Sequence, residues 1–295
     1  MVASGDVTAG RLRPGEPLAP AREPLAPARE PLAPARQAAS KVPQITIYFW
    51  IVKILTTAQG EATSDYLDHR IDPPIAAAIA GLALVAALAL QFRTRRYRAW
   101  AYWLAADMVA VFGTMCADGL HVELGIPYVV STAFFAVALA VILVAWYRSE
   151  GTLSIHSIRT TRREMFYWAT ILATFALGTA LGDLTATTLH LGYLTSGIMF
   201  TLIFAIPGLA HWRLRLNAIV AFWTAYILTR PLGASYADWM GVPHSLGGLD
   251  FGRGPVAVGL TIPIILLVGY LAVSRADVEG RAPEAAHGQG RHRSG

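Results

Sequence analysis

One short pattern occurs four times along this chain and limits what the chain can fold into. Each copy begins with an aromatic residue and a tryptophan, has a glycine ten residues after the tryptophan, and has an aspartate fifteen residues after it. Length variation between copies falls outside this span, so the pattern marks one structural unit used four times. Its members are Trp50, Trp103, Trp168 and Trp223, then Gly60, Gly113, Gly178 and Gly233, then Asp65, Asp118, Asp183 and Asp238.

Each copy also contains two apolar blocks of about 20 residues, the length that crosses a hydrocarbon core of about 30 Å. Blocks 73–92 and 127–147 hold no charged residue, and charged residues make up only 15% of the chain, against about a quarter in soluble domains. We therefore expect an all-α integral membrane protein with eight transmembrane helices from four parallel two-helix repeats. The repeats are predicted at about 44–92, 99–147, 165–211 and 217–274. Their helices are predicted at about 44–66, 73–92, 99–119, 127–147, 165–187, 192–211, 217–240 and 254–274.

The two ends of the chain lack this apolar character. Residues 1–40 contain the heptapeptide EPLAPAR three times, and its two prolines per copy exclude the coiled coil that a period of seven would otherwise favour. We expect a disordered, proline-rich cytoplasmic tail there, with a ligand for a proline-recognising partner as the lesser alternative. Residues 276–295 are polar and glycine-rich and predict a second disordered tail. The membrane domain is then 41–275.

The basic residues predict how the helices are oriented. Ten arginines lie in or next to the loops that join one copy to the next, whereas the loops within the copies hold only Arg70 and Arg253. By the positive-inside rule, we expect the arginine-rich side and both termini to be cytoplasmic. The tryptophans then lie at the inner interface, where we expect them to act as anchors, and the aspartates lie towards the outer end. This distribution also accounts for the net charge of +5 without a nucleic-acid partner.

The first helix of each copy carries charged residues at membrane depth. At about 100° per residue, the spacing places all but one of them on a single stripe about 80° wide, and Lys53 lies about 60° from that stripe. Charges in the hydrocarbon core cost about 2.5–3.5 kcal/mol each, so we expect the stripe to face other helices or a water-filled cavity. The stripe consists of Glu61, Asp65, Asp107, Asp118, Asp183, Arg230 and Asp238.

Glu61 and Asp65 lie four residues apart on one helix face, where two ionised carboxylates repel each other. The pair is tolerable if one carboxyl is protonated, if a cation bridges them, or if Lys53 or Arg230 neutralises them. The first two arrangements are typical of a site that handles protons or cations, and the third is a structural network. The other repeated aspartates have a second interpretation as caps near helix ends, and the repeated glycines are interpreted as positions of close helix packing.

Two further features bear on a site. Arg230 precedes Pro231 in the seventh helix, and a proline at this depth predicts a kinked or broken helix beside a charge.

Each outer loop also holds one histidine, and these histidines are conceivable ligands for a transition metal. Their distances from the repeated aspartates vary, so surface histidines without a shared role are the better interpretation, and the identity of any metal is unknown. They are His69, His121, His190 and His244.

Enzyme chemistry has little support in the sequence. The chain has no HExxH, P-loop, GxSxG or Rossmann motif, and its longest cytoplasmic loop is about 17 residues, too short for a catalytic domain. Its one cysteine, Cys116, excludes an internal disulfide and a zinc-type cysteine pair. We therefore expect no enzymatic activity and no cofactor.

The four-copy pattern, together with the segments KVPQITIYFWIVKILTTAQGEATSDYL and FWTAYILTRPLGASYADW, resembles the bacterial membrane repeat family known as DUF347. The resemblance covers about residues 41–275. It implies repeats of two transmembrane segments with a characteristic tryptophan, and a place in the bacterial cytoplasmic membrane. It implies no catalytic residue, since no activity is established for the family.

Two functional hypotheses follow. In the leading one, the chain is a transporter or permease for a cation or small cationic solute. Its carboxylates, at Asp65, Glu61 and the other repeated aspartates, bind or relay charge, and Arg230 tunes or gates the site. In the alternative, the chain is a membrane scaffold or accessory protein whose buried charges form a structural network. The partners expected are the lipid bilayer and a cation or proton, and the sequence does not give the oligomeric state.

Overall fold

The computed structural model describes residues 40–278, so the two predicted tails lie almost entirely outside the described residues. Within that range the chain is all-helical, without a β-strand. All eight predicted helices are present, which confirms the helical fold class. They are α1 (Ile47–Asp68), α2 (Pro73–Arg93), α3 (Ala99–Asp118), α4 (Tyr128–Glu150), α5 (Thr161–Asp183), α6 (Tyr193–Leu214), α7 (Ala218–Gly241) and α8 (Arg253–Ser274).

Six of these helices are long and apolar enough to cross a membrane, namely α2, α3, α4, α5, α6 and α8. The other two, α1 and α7, are not among these six: α1 carries four charged residues, and α7 carries Arg230 and Asp238. Large apolar side chains cover the outer helices, with Leu82 and Val85 of α2 and Leu266 of α8 more than 60% exposed. Helices that are apolar all round and still exposed are typical of contact with lipid.

The four odd-numbered helices form a closed ring at the centre of the protein. α1 packs on α3, α3 on α5, α5 on α7, and α7 returns to α1. Each even-numbered helix lies outside the ring and packs mainly on the odd helix of the following repeat: α2 on α3, α4 on α5 and α6 on α7. α8 completes the cycle by packing on α1. The repeats are therefore arranged with approximate fourfold symmetry, an arrangement that the sequence left undecided.

The repeated glycines lie where neighbouring inner helices come closest. A Cβ atom added to any of them would collide with the next inner helix, always at the residue seven positions after that helix's tryptophan. At Gly113, for example, the added atom would lie 2.7 Å from the Cβ of Phe175. Small residues of this kind let helix backbones approach closely. The four contacts are Gly60 with Ala110, Gly113 with Phe175, Gly178 with Arg230, and Gly233 with Thr57.

The repeated tryptophans differ from the interfacial anchors expected from the sequence. Trp103, Trp168 and Trp223 are only 2%, 3% and 5% exposed, and Trp50 alone is partly exposed. The outer helices cover the ring at this level, so the indoles pack inside the protein. With the aromatic residues that precede them, they form a buried aromatic layer across the ring, consisting of Phe49, Trp50, Tyr102, Trp103, Tyr167, Trp168, Phe222 and Trp223.

Pro231 does not break the seventh helix, so of the kinked or broken helix predicted from the sequence, the break is wrong. α7 is continuous from Ala218 to Gly241. A proline inside a helix removes one backbone donor and needs space for its ring. That space exists because the ring lies against Gly178 of α5, where an added Cβ would come within 3.0 Å of the Pro231 Cδ.

Candidate functional site

The inner helices end around a cavity of about 490 Å³. All four repeated aspartates line it, and so does the first residue of every outer helix. We call this end of the bundle the acidic end, and the opposite end, with the arginine-rich loops, the basic end. The eight residues that the fourfold repeat brings to the cavity are Asp65, Asp118, Asp183 and Asp238, with Pro73, Tyr128, Tyr193 and Arg253.

The cavity is strongly acidic. Seven carboxylates line it, against one arginine, Arg253, and one histidine, His69. The repeated aspartates supply four of these carboxylates, and Asp68 and Glu123 lie near its mouth because they follow the aspartates of α1 and α3 in the chain. The seventh is Glu61, one turn below Asp65. Like charges this close favour the entry of a cation.

One of the carboxylates is neutralised by the arginine. Arg253 Nε lies 2.8 Å from Asp65 Oδ2, and both side chains are partly buried. Arg253 was not among the site residues predicted from the sequence. The sequence feature that could have pointed to Arg253 is its rarity, since it is one of only two arginines in the loops at this end of the protein.

Three other carboxylates form the tightest cluster in the cavity. One oxygen from each of Glu61, Asp183 and Asp238 lies within 4.8 Å of the other two. Asp238 is only 9% exposed and Glu61 only 3%. Within residues 40–278, Asp183 and Asp238 form no ion pair, so their charges face each other and the cavity.

Arg230 is linked to the cavity through Glu61, which lines it. Its guanidinium is fully buried, forms an ion pair with Glu61, and donates hydrogen bonds to Thr114 and to Thr179 Oγ1, the latter at 2.7 Å. It also donates to the carbonyl oxygen of Thr57 at 2.9 Å. Glu61, Thr114 and Thr179 each lie eleven residues after the tryptophan of their repeat, so one arginine of α7 contacts equivalent positions on the other three inner helices.

Lys53 lies beneath this arginine. Its ammonium is 4.1 Å from the ring centre of Phe175 and 4.3 Å from that of Tyr226, and the residue is 1% exposed. Within the described part of the chain, its Nζ has no hydrogen-bond partner. The helical angle placed Lys53 off the polar stripe, yet the structure buries it inside the ring, between Arg230 and the aromatic layer.

Asp107 is the stripe residue that does not join the site. It is half-buried on α3 and lies outside the lining of the cavity. One of its carboxylate oxygens is buried without a hydrogen-bond partner among residues 40–278. The hypothesis that Asp107 shares a site with the repeated aspartates therefore has no geometric support.

The helices of the second and third repeats change geometry directly after their aspartates. Turns of π-helix occupy Gly119–Glu123 after Asp118 and Leu184–Thr188 after Asp183. These π-helical turns were not predicted, because no residue pattern in the two segments marks them. Such turns are frequent at functional sites, because they widen the helix and redirect the residues beside them.

The outer-loop histidines do not converge on one site. His69 lines the cavity, whereas His121 stacks on Tyr128 and its Nδ1 lies 2.7 Å from the carbonyl oxygen of Ile126. His190 and His244 lie outside the lining. The cluster of Glu61, Asp183 and Asp238 therefore contains only carboxylate oxygens.

The basic end is closed by chain segments that cross it. Lys41 Nζ lies 2.6 Å from Glu164 Oε2, and the glutamate is fully buried. Gln91 donates to the other carboxylate oxygen of Glu164 at 3.0 Å. Beyond α8, Asp277 accepts a hydrogen bond from Tyr97, and burial raises the pKa of Asp277 above its ordinary value. These contacts join the segment before α1 to α2 and α5, on the side away from the cavity.

Four parallel helices around an acidic cavity, surrounded by apolar helices, define an all-helical membrane protein built from internal repeats. The family model described as Repeat of Unknown Function (DUF347) matches four segments, at 48–97, 101–152, 166–217 and 221–277. The chain therefore belongs to the DUF347 repeat family, which confirms the resemblance seen in the sequence. No curated protein and no solved structure matches the chain.

Proposed function

We propose that this protein is a permease for cations in a bacterial cytoplasmic membrane, with all eight helices crossing the bilayer. The positive-inside rule supports an orientation with the basic end and both termini in the cytoplasm. The acidic cavity then opens towards the outside, where it collects cations from the medium.

The observation that carries the proposal is the convergence of the four repeated aspartates and Glu61 on one cavity of about 490 Å³. Ionisable groups at membrane depth are costly and are typical of ion pathways. Among residues 40–278, Asp65 and Glu61 are the carboxylates of this group that have an arginine partner, so the remaining aspartates favour a mobile cation in the cavity.

Arg230 and Lys53 give this site a barrier. Both side chains are buried between the cavity and the aromatic layer, so a cation cannot pass them without a change in their positions. In the proposed mechanism, a cation in the cavity competes with Arg230 for Glu61, and this competition favours a second conformation. The contacts of Lys41 and Glu164 at the basic end open in that conformation.

Flux measurements test the proposal. Purified full-length protein is reconstituted in liposomes, and uptake of protons and of monovalent and divalent cations is measured at several pH values. We expect wild type to transport at least one of these ions, and Asp183→Asn or Asp238→Asn to reduce its uptake to the level of empty liposomes. The matched control is Asp250→Asn, an exposed aspartate outside the cavity lining whose positive φ of 57° an asparagine also adopts. Wild type no faster than empty liposomes for every ion would refute transport.

One observation favours the alternative, a membrane scaffold. Arg230 connects α7 to α1, α3 and α5 through one buried network, an arrangement that fixes helix positions whether or not an ion passes. On this alternative wild type carries no ion, and neutralising the acids changes only stability. The flux measurement, combined with thermal unfolding of the same variants, therefore separates the two functions.

A further inference from the structure

We infer that Glu61, Asp183 and Asp238 form a binding site for one hard divalent cation, of the class that includes Mn²⁺, Ca²⁺ and Mg²⁺. The inference rests on the proposed function and narrows it, because it names the class of cation and its ligands. Each residue comes from a different inner helix, so the site exists only in the assembled ring.

The spacing of the three oxygens fits one coordination sphere. All three lie within 4.8 Å of one another. Oxygen ligands bind Ca²⁺ at about 2.3–2.6 Å, so two ligands on opposite sides of the ion are about 4.6–5.2 Å apart. A single ion placed among the three carboxylates can therefore reach all of them with small side-chain movements, and Mg²⁺ or Mn²⁺ needs a slightly tighter arrangement.

Asp238 provides an independent indication of a ligand. Its side chain lines the cavity and is 9% exposed, yet within residues 40–278 it forms no ion pair and accepts no hydrogen bond from a side chain. Buried carboxylates are normally paired, hydrogen-bonded or bound to a metal. Within residues 40–278 this carboxylate has neither of the first two arrangements, so the partners left for it are a proton or a cation from the cavity.

The local charge matches a dication. Arg230 neutralises Glu61 and Arg253 neutralises Asp65. In their ionised forms, Asp183 and Asp238 are two negative charges beside Glu61 that form no ion pair among residues 40–278. One divalent cation balances these two charges, whereas a monovalent cation leaves one of them buried without a partner.

The ligand atoms indicate the kind of metal. The cluster has no histidine and no cysteine, and carboxylate oxygens favour Mg²⁺, Ca²⁺ and Mn²⁺ over the softer transition metals. The cavity of about 490 Å³ has room for waters to complete the coordination sphere, since a water in the liquid occupies about 30 Å³.

Mn²⁺ binding tests the site directly. Full-length protein in lipid nanodiscs is titrated with Mn²⁺ at pH 7, and bound ion is measured by electron paramagnetic resonance, with Ca²⁺, Mg²⁺ and Na⁺ as competitors. We expect one saturable site that Ca²⁺ or Mg²⁺ displaces and Na⁺ does not. Asp183→Asn and Asp238→Asn should each weaken binding at least about tenfold, a loss that removal of even an outer-sphere partner often produces. Asp250→Asn should bind like wild type.

Folding of the variants is checked by thermal unfolding without metal. An asparagine removes an uncompensated buried charge and keeps the shape of the side chain, so both variants should unfold at or above the wild-type temperature. Added Mn²⁺ should raise the unfolding temperature of wild type and of Asp250→Asn, and raise that of the two site variants much less.

The outcomes separate this inference from the proposed transport. Absence of saturable Mn²⁺ binding in wild type, or equal binding by wild type and the folded site variants, overturns the divalent site. Saturable binding without flux in liposomes upholds the site and refutes the permease. Flux of protons or monovalent cations without Mn²⁺ binding refutes the site and upholds the permease.

Discussion

Arg230 forms an ion pair with Glu61 at the centre of the ring, although 169 positions separate the two residues in the sequence. Their side chains are 0% and 3% exposed. The pair links the last repeat to the first, and these repeats are neighbours only because the ring is closed. Both residues are departures from the repeat, since the equivalent positions in the other copies carry no charge. Because this contact requires the closed ring, substitutions at Arg230 and Glu61 test both the closure of the ring and the buried network.

Replacing Arg230 should destabilise the protein strongly. Arg230→Met leaves Glu61 buried without its partner, a change that costs about 3–5 kcal/mol in buried pairs. The double variant with Glu61→Leu removes both charges and should recover part of this loss. Thermal unfolding in detergent measures both effects, with exposed Arg95→Met as the control. Equal unfolding temperatures for Arg230→Met and wild type would contradict the buried network.

A methyl group at Gly178 should be poorly tolerated. Its Cβ would collide with the side chain of Arg230 and come within 3.0 Å of Pro231 Cδ. Overpacking of this kind costs about 1–3 kcal/mol. Gly269 of α8 provides the control, because no atom lies within 4 Å of an added Cβ there and alanine favours a helix. We expect Gly178→Ala to lower the unfolding temperature and Gly269→Ala to leave it unchanged or raise it.

Lys53 should behave in the opposite way to Arg230. Its buried ammonium has two aromatic rings for partners and no hydrogen bond within the described chain. Contacts with aromatic faces recover about 2 kcal/mol, less than the several kcal/mol lost by desolvation. Lys53→Met keeps the volume without the charge and should raise the unfolding temperature. Lys53→Ala, which leaves a void, should lower it. A large loss of stability in Lys53→Met would show that the charge is needed.

The buried pair of Lys41 and Glu164 at the basic end should matter more than the partly exposed ion pairs of Glu150. Glu164→Leu leaves the Lys41 ammonium without its carboxylate, a loss of about 3–5 kcal/mol for buried pairs. Glu150, which pairs with two arginines at the surface, is the matched comparison. Glu150→Gln should change the unfolding temperature only slightly. Similar losses for the two variants would mean that Lys41 does not close this end.

Docking of the segment after α8 should weaken as the pH rises. Burial raises the pKa of Asp277 in the folded protein. A raised carboxyl pKa contributes stability below the ordinary value of about 3.9, and this contribution is lost as the pH rises through the folded value. Hydrogen exchange at the amide of Gln44, which donates to the carbonyl oxygen of Asp277 at 3.0 Å, reports the docking. After correction for intrinsic rates, protection should fall with pH in wild type and stay constant in Asp277→Asn.

The sequence predicted the helices and the acidic end because both depend on local spacing. A fixed interval between tryptophan and aspartate in four parallel helices places the aspartates at one level, and the structure brings all four to one cavity. Helical angle placed Asp107 on the polar stripe and Lys53 off it. The structure instead leaves Asp107 outside the cavity lining and buries Lys53 inside the ring. The outer helices cover the ring on all sides, so an inner helix is buried over most of its circumference. A residue 60° from the stripe, such as Lys53, is then as buried as those on it.

Partners across the ring could not be assigned from the sequence, which offered Arg230 as only one of several ways to make the pair of Glu61 and Asp65 tolerable. Helical angle gives the direction of Arg230 and of Glu61, but their contact depends on the closure of α7 on α1. Tyr128, Tyr193 and Arg253 were missed for a different reason. They share one structural position, the start of an outer helix, but the spacing to the tryptophan is not the same in all four copies. Tyr128 and Tyr193 lie 25 residues after their tryptophans, whereas Arg253 lies 30 residues after Trp223.

The packing of each outer helix on the next repeat has a consequence for how the chain can be cut. No repeat is a closed unit, and the join between the fourth and the first has the same kind of helix contacts as the other three. The two ends of the described chain also meet, through the hydrogen bond from Gln44 to Asp277. A circular permutant that links these ends and opens the loop between α4 and α5 should therefore assemble the same ring. The order of the repeats around the ring is then fixed, whereas the repeat at which the chain begins can differ.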